Sequence, residues 1–287
     1  MKRLILVSII LCSFFSAFTQ VSNYGKINED EWKINHCSFD STANTVVLFD
    51  VGYVIIEANK NANQNDPDCK LHIEYFLLTY ERHLRIKILG SESNNSISHS
   101  FSLPSPDKIP VRLIYFKSNS IFKEDGHVTE KIFNTKNLRK STANDGINQM
   151  TFELNGLKNG TIIEINYRIE SGVPNTLPEW YFSNQYPTLY SEINFTTPNF
   201  FKFEILSDIL NKLDYKSYSR DKQYSVSYTI QNGWRDVRYL FNENHETYSL
   251  RNIPAISEIE LKHLLKYNLK SVDFNSVFYK KGIWIKQ

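Results

Sequence analysis

The alternation of apolar and polar residues over residues 163–170 constrains the fold of this chain more than any other feature. The apolar set is Ile163, Ile165, Tyr167 and Ile169, and the polar set is Glu164, Asn166, Arg168 and Glu170. A period of two is typical of a β-strand with one face against a core and one face in water. We therefore expect a strand here whose charged side chains, including Glu164 and Glu170, are solvated.

A second run shows the same period over residues 84–88. Leu84, Ile86 and Ile88 share one face, while Arg85 and Lys87 share the other. This pattern again predicts a strand with one wet face. His83 directly precedes the run, and we expect it at the surface or at a sheet edge.

Turn signals separate further short strands along the chain. The predicted strands span residues 45–49, 53–57, 111–117, 127–133, 150–154, 189–195, 200–206, 224–230 and 234–241. Gly52 is expected to supply the turn of a hairpin between the first two. Asp125-Gly126 predicts another turn. Because long helices do not alternate with these strands, the sequence favours an all-β, antiparallel β-sandwich over a doubly wound α/β fold.

The chain changes character after Pro254. Ile256, Ile259 and Leu264 recur at helical spacing, with acidic residues before basic ones, which predicts a short C-terminal helix. An extended apolar and aromatic stretch follows. We therefore expect a β-sandwich domain over residues 20–254, with residues 255–287 as a C-terminal tail that docks back on it, or as a truncated linker to an absent domain.

The first 19 residues have the pattern of a signal peptide. Lys2 and Arg3 precede an apolar stretch over residues 4–15, and Ala17-Phe18-Thr19 offers a small-x-small cleavage site. The alternative is an anchoring helix, but the stretch is short for a hydrocarbon core of ~30 Å. The pattern predicts an exported protein, located in the periplasm, on the outer surface or in the medium. No later segment is long and apolar enough to predict a transmembrane segment.

Two cysteines remain after removal of such a signal peptide. Export would place Cys37 and Cys69 in a compartment that permits disulfides. Each precedes a predicted strand, so they could pair. Separate buried thiols are the alternative, and two cysteines alone do not decide between them.

The composition and motifs give no indication of a catalytic, metal or cofactor site. The chain has 33 Lys and Arg against 31 Asp and Glu, a net charge of +2 that gives no reason to expect a nucleic-acid partner. Its histidines lack the spacing of a zinc site, and no phosphate-binding loop or nucleophile elbow is present. His36 and Cys37 are adjacent, so on a strand they would point to opposite faces. We expect a protein that is not an enzyme and needs no cofactor.

Aromatic residues with polar neighbours are the candidate binding residues. They are Trp180, Tyr181, Tyr186 and Tyr190. Such side chains can stack on sugars or cover apolar surface of a partner, although alternate members can equally face the core. The sequence favours a module that binds or scaffolds a protein or glycan. The alternatives are a hydrolase acting on peptide or glycan, with a site assembled across the sandwich, and an incomplete copy without independent function.

The segment of residues 160–198 carries a family resemblance. Its motifs are a strand that begins at Gly160, then Leu177-Pro178-Glu179-Trp180, and then Tyr186-Pro187-Thr188-Leu189-Tyr190 before Pro198. These resemble the all-β domain of unknown function that precedes transglutaminase-like domains in secreted bacterial proteins, and the match covers about residues 32–254. The resemblance implies a β-sandwich without a catalytic role, because the chemistry of longer relatives belongs to the following domain.

Overall fold

The computed structural model describes residues 23–59, 70–90, 95–103, 111–142, 148–172, 179–230, 233–256, 264–273 and 278–285. These residues are mostly β-structure, as the sequence predicts, with one short α-helix among them, α1 (Glu29–Lys33). The strands are β1 (Thr45–Ala58), β2 (Phe76–Ile88), β3 (Asn95–Leu103), β4 (Val111–Glu124), β5 (His127–Ile132), β6 (Arg139–Thr142), β7 (Asn148–Leu157), β8 (Ile162–Ser171), β9 (Trp180–Tyr181), β10 (Thr188–Pro198), β11 (Phe201–Ser207), β12 (Asp214–Ile230), β13 (Gly233–Ile253), β14 (Leu264–Val272) and β15 (Phe278–Ile285).

The strands form one large sheet and two small ones. The large sheet has the order β12-β13-β10-β1-β2-β8-β4-β5, and β15 also pairs with β13. Neighbouring strands of this sheet run antiparallel, except that β1 and β10 are parallel to each other. The small sheets have the orders β11-β14-β9 and β3-β7-β6.

Both small sheets share one hydrophobic core with the same face of the large sheet, which we call the inner face. The Tyr167 ring of β8 stacks on Phe101 of β3 with 4.2 Å between centroids. Phe76 of β2 contacts Phe201 of β11 with a centroid distance of 5.2 Å. All four residues belong to one buried cluster. The apolar sets of β2 and β8 therefore point inward, as their alternation predicts.

Part of the opposite, outer face of the large sheet is not the wet face that the alternation predicts. Residues 23–43 cross it, and Cys37 packs there against Val46, Phe49 and Val51 of β1. As a result Glu164 and Arg85 are both 0% exposed. The prediction that the polar face of β8 and β2 is solvated is wrong for these residues, because a distant segment covers it.

Two predicted turns have different outcomes. Gly52 does not form a hairpin, because residues 45–58 are one continuous strand. A Cβ at this position would lie 2.6 Å from both Trp180 Cζ3 and Ile193 Cδ1, so the glycine permits close packing. The turn between β4 and β5 is confirmed: Asp125 and Gly126 have φ angles of 50° and 80°, which suits a tight two-residue connection.

Two segments after Pro254 enter the sheets, Leu264–Val272 and Phe278–Ile285. The predicted C-terminal helix is not seen, since residues 257–263 lie outside the described residues and Leu264 begins β14. β14 lies between β11 and β9, and β15 pairs with β13. The predicted signal peptide and Cys69 also lie outside the described residues. No helix in the described part of the chain is long and apolar enough to cross a membrane.

Candidate functional site

A buried carboxylate organises the outer face of the large sheet. Glu164 of β8 contacts His83 Nε2 of β2 at 2.6 Å and the guanidinium of Arg85. Its second oxygen accepts a hydrogen bond from the backbone N–H of Gly25 at 2.7 Å. The register places His83 opposite Asn166 and Arg85 opposite Glu164, so cross-strand neighbours form this group. Burial opposes the charged form of Glu164, but the His83 hydrogen bond and Arg85 outweigh it and lower the pKa of the carboxyl.

Arg85 connects this carboxylate to the N-terminal segment. Its Nη1 donates to both carboxylate oxygens of Glu31, at 2.7 and 2.8 Å. Its guanidinium also lies 4.8 Å from the centroid of the Phe49 ring. Asn28 and Glu31 form a reciprocal capping box at the start of α1, which orients the Glu31 side chain. One arginine therefore bridges two buried carboxylates from distant parts of the sequence.

Lys87 anchors the other end of α1. Its Nζ donates to the carbonyls of Glu31 and Trp32, each at 2.7 Å. A cation is favourable beside the last carbonyls of a helix. Burial lowers the pKa of Lys87 to about 8, although Glu31 acts in the opposite direction. Together these contacts fix residues 23–33, which we call the N-terminal strap, on the outer face.

A cleft opens beside the first two residues of the strap, Asn23 and Tyr24. Its volume is about 320 Å³, and its lining residues are Asn23, Tyr24, Tyr53, Glu81, His83, Tyr115, Lys117 and Asn166. The strap supplies the first two, and β1, β2, β4 and β8 supply the rest. The cleft therefore lies beside the buried Glu164 group, with His83 belonging to both.

The sheet register orders the floor of the cleft. Tyr53 of β1 lies directly opposite Glu81 of β2, and His83 follows two positions further along β2. Asn166 Nδ2 donates to Glu81 Oε1 at 3.3 Å, and the Tyr115 hydroxyl bonds to the same carboxylate. Glu81 therefore lies at the centre of the floor and is held by neutral donors.

The three tyrosines of the cleft remain protonated phenols. Burial raises the pKa of Tyr24, Tyr53 and Tyr115, and nearby carboxylates raise it further. Within the described residues, the Tyr53 hydroxyl has no hydrogen-bond partner. The Lys117 ammonium likewise has no hydrogen-bond or ion-pair partner there, and it lies 6.0 and 5.4 Å from the centroids of the Tyr24 and Tyr115 rings. The cleft thus presents hydrogen-bonding groups whose capacity is not used.

The four aromatic residues that the sequence singles out do not converge. Trp180 is 2% exposed, lies 5.0 Å from the Arg82 guanidinium, and donates through Nε1 to Ser191 at 3.3 Å. The Tyr181 hydroxyl donates to Glu179 at 2.7 Å. The remaining two lie in different surroundings: Tyr186 lines a small cavity beside His99, and Tyr190 lies against Arg251 and bonds to Glu192. Their binding role stays a prediction, and the structure does not bring them into one site.

Sequence reasoning missed the cleft because its residues belong to sets that look like solvated faces. The sequence pattern places Tyr53 in a hairpin, His83 at a surface, and Asn166 on a wet strand face. The sequence held one usable signal. In both β2 and β8 the residues that point away from the core are unusually polar, and they include opposite charges. Arg85 and Glu164, for example, can neutralise one another only if the strands are neighbours.

Metal and thiol sites do not emerge from the described residues. None of the groups of His, Cys, Asp and Glu in that part of the chain could hold a metal ion with three ligands. Cys37 is buried and forms no disulfide with a described residue. Its predicted partner Cys69 lies outside those residues, so the disulfide stays a prediction.

Comparison with known proteins adds little to this geometry. No protein-family model matches the chain, and no curated protein matches it. A solved structure described as a "putative protease" from Parabacteroides distasonis aligns at 13% identity over 77% of this chain, with a TM-score of 0.41. This chain spans 39% of that protein's length. A "putative nutrient binding protein" from Legionella pneumophila aligns at 8% identity over 78% of this chain and 67% of its own, with a TM-score of 0.33. Neither score establishes a common fold.

Proposed function

We propose that this chain is an exported, non-catalytic β-sandwich module that binds a partner through the cleft on its outer face. The leader pattern of residues 1–19 supports export. The core that the large sheet shares with both small sheets supports the sandwich description. The motifs of residues 160–198 support a relationship to the domain that precedes transglutaminase-like domains in secreted bacterial proteins.

The observation that carries the binding role is an exposed aromatic residue on an interior strand. β1 pairs on both sides, with β10 and β2, yet Tyr53 at its middle is 39% exposed. Beside it the strap buries Glu164 and Arg85 of the same face. The cleft adjoins this covered area and is lined by tyrosines and by polar groups with unused hydrogen-bonding capacity. Concave sites with a few convergent polar groups are typical binding sites.

The test compares one cleft tyrosine with a matched tyrosine elsewhere. Protein comprising residues 20–287 is screened by ligand-observed NMR against short peptides and short oligosaccharides. Tyr53→Ala is expected to weaken binding of any hit at least tenfold. Tyr215→Ala is the control, because Tyr215 is 53% exposed on the distant strand β12. Absence of binding by both ligand classes, or equal loss in both variants, would contradict the proposal.

Export is tested by a separate experiment. If residues 1–19 are a signal peptide, the full chain expressed in a bacterium is recovered outside the cytoplasm with Gln20 as its first residue. Sequencing the amino terminus of the recovered protein checks this. Retention in the cytoplasm with Met1 intact would contradict export and leave the cleft unaffected.

A hydrolase is a second candidate because of one contact. The Nε2 atom of His83 lies 2.6 Å from a buried Glu164 carboxylate, and His83 also lines the cleft. A carboxylate that orients a histidine is the arrangement of a general base. Incubating the ligand found above with wild type and with His83→Gln separates the candidates. Product that accumulates only with wild type supports the hydrolase, and binding without product supports the module.

A further inference from the structure

We infer that the cleft binds a neutral carbohydrate, with a sugar ring on Tyr53 and its hydroxyls on Glu81 and Asn166. This inference rests on the proposed function and names the ligand class of the same site. It follows from the chemistry of the lining, from the hydrogen-bonding capacity of the floor, and from the position of the cleft within the sheet.

Among the described residues, the lining contains no aliphatic side chain. Its eight described residues are three tyrosines, two asparagines, one glutamate, one histidine and one lysine. Pockets for apolar small molecules are lined mainly by hydrophobic groups, with only a few polar ones. This cleft instead offers flat aromatic surfaces surrounded by donors and acceptors. A sugar has the complementary surface, because its ring presents a C–H face for stacking and hydroxyls around its edge.

Glu81 can accept further hydrogen bonds. A carboxylate has about four lone-pair sites. Asn166 Nδ2 and the Tyr115 hydroxyl take two of them. The Glu81 carboxylate can therefore accept further hydrogen bonds. It lies at the centre of the floor, directly opposite Tyr53. Two neighbouring hydroxyls of a sugar can donate to one carboxylate in this way while the ring lies over the tyrosine.

The charges of the cleft favour a neutral ligand. Among the described lining residues, Glu81 and Lys117 contribute one negative and one positive charge, while His83 bonds to Glu164 beside the floor. Arg168 lies opposite Glu81 on β8, and its charge is paired with Glu170 at 3.4 Å. The ammonium of Lys117 has no carboxylate partner among the described residues and can donate to hydroxyl or ring oxygens of a sugar. The volume of about 320 Å³ is at the lower end of ligand pockets, which suits a short saccharide unit.

The position of the cleft disfavours an extended peptide. Peptides that bind sheets add a strand at an edge, where backbone N–H and C=O groups are unpaired. β2 pairs with both β1 and β8, and β8 also pairs with β4. The backbone groups of the floor are therefore engaged, and a ligand can be recognised there only by side chains. Recognition by side-chain hydrogen bonds and ring stacking suits a sugar.

The experiment titrates the protein of residues 20–287 by calorimetry with cellobiose, maltose and N,N′-diacetylchitobiose. Digalacturonate serves as the anionic probe and tetra-alanine as the peptide. We expect at least one neutral disaccharide to bind. Its affinity should fall at least tenfold in Tyr53→Ala and in Glu81→Gln, and stay within twofold of wild type in Tyr215→Ala. Circular dichroism melting of each variant verifies that the fold is retained. If Glu81→Gln fails to fold, Lys117→Met is used instead, because Lys117 is exposed. The affinity of this variant for the disaccharide should fall at least threefold.

The outcomes separate this inference from the proposed function. Sugar binding that is unchanged in Tyr53→Ala and in Glu81→Gln, or in its replacement Lys117→Met, would overturn the assignment to the cleft. If tetra-alanine or digalacturonate binds in a Tyr53-dependent way and no neutral sugar does, the carbohydrate class is wrong while the binding module stands. If no probe of any class binds, both proposals fail.

Discussion

Replacing Arg85 with methionine should destabilise the fold more than any exposed charge substitution. Arg85 is 0% exposed and its guanidinium contacts the carboxylates of Glu31 and Glu164, which are themselves almost fully buried. A methionine at this position would preserve much of the apolar side-chain volume but leave two carboxylates without their shared cation. The strap would then be held mainly by Lys87 and the Gly25 hydrogen bond.

The magnitude follows from the burial of the pair. Removing one partner from a buried ion pair costs about 3–5 kcal/mol, because the remaining charge stays buried. Domains of this kind have a free energy of unfolding of about 5–15 kcal/mol. The substitution should therefore remove a large fraction of the stability at pH 7.

Urea unfolding followed by circular dichroism measures the effect. The control is Arg139→Met, because Arg139 pairs with Glu153 at 3.5 Å with side chains 75% and 43% exposed. Exposed pairs contribute about 0–1 kcal/mol. The double variant Arg85→Met/Glu164→Gln should recover part of the loss, since it removes one of the unpaired charges. If Arg85→Met unfolds at the same urea concentration as Arg139→Met, the buried network of Arg85, Glu31 and Glu164 does not stabilise the fold.

The remaining predictions concern packing, a turn and pH. Gly52→Ala should destabilise the protein by about 1–3 kcal/mol in urea unfolding, because its Cβ would clash with the Trp180 ring; an unchanged midpoint would contradict this packing. Gly126→Ala should cost about 1 kcal/mol in the same assay, since alanine at a φ of 80° is strained and nothing lies within 4 Å to relieve or worsen the strain; a gain in stability would contradict it. Burial lowers the pKa of His99 from 6.5 to about 3, with Arg82 acting in the same direction. The folded state therefore binds fewer protons than the unfolded state. The contribution of neutral His99 to the free energy of unfolding is complete above pH 6.5 and is lost as the pH falls, by at most about 1.4 kcal/mol per pH unit. His99→Leu should flatten the stability curve between pH 6.5 and 4.5, and an unaltered slope would refute the assignment.

The positions of strands were largely predictable, whereas their lengths and the exposure of their polar faces were not. The apolar sets of β2 and β8 face the core as their period requires. The sequence pattern divides β1 at Gly52, because glycine within a strand and glycine in a hairpin turn look alike when the residue that packs on it is unknown. That residue is Trp180, 128 positions later, and the sequence offers its burial only as an alternative to a binding role.

The candidate site was almost entirely beyond sequence reasoning. The four aromatic residues chosen for their polar neighbours lie in separate surroundings. The cleft residues come from four strands and the strap, and none of them forms a short motif. Tyr53 and Glu81 are neighbours only through the β1–β2 register. The hydrogen bond from Gly25 to Glu164 joins residues 139 positions apart. Contacts at such separations leave no local pattern.

The sequence alone determined which residues alternate, and hence which share a face of a strand, because the side-chain period of a strand is a local property of the backbone. It also determined the Asp125-Gly126 turn, because those residues tolerate positive φ. Tertiary structure decided which face is wet. Glu164 and Arg85 are buried because the strap lies over them and supplies Glu31 as a counter-charge, whereas Tyr53 on the same face is 39% exposed. Burial depends on what lies above a surface, and a period of two cannot contain that information.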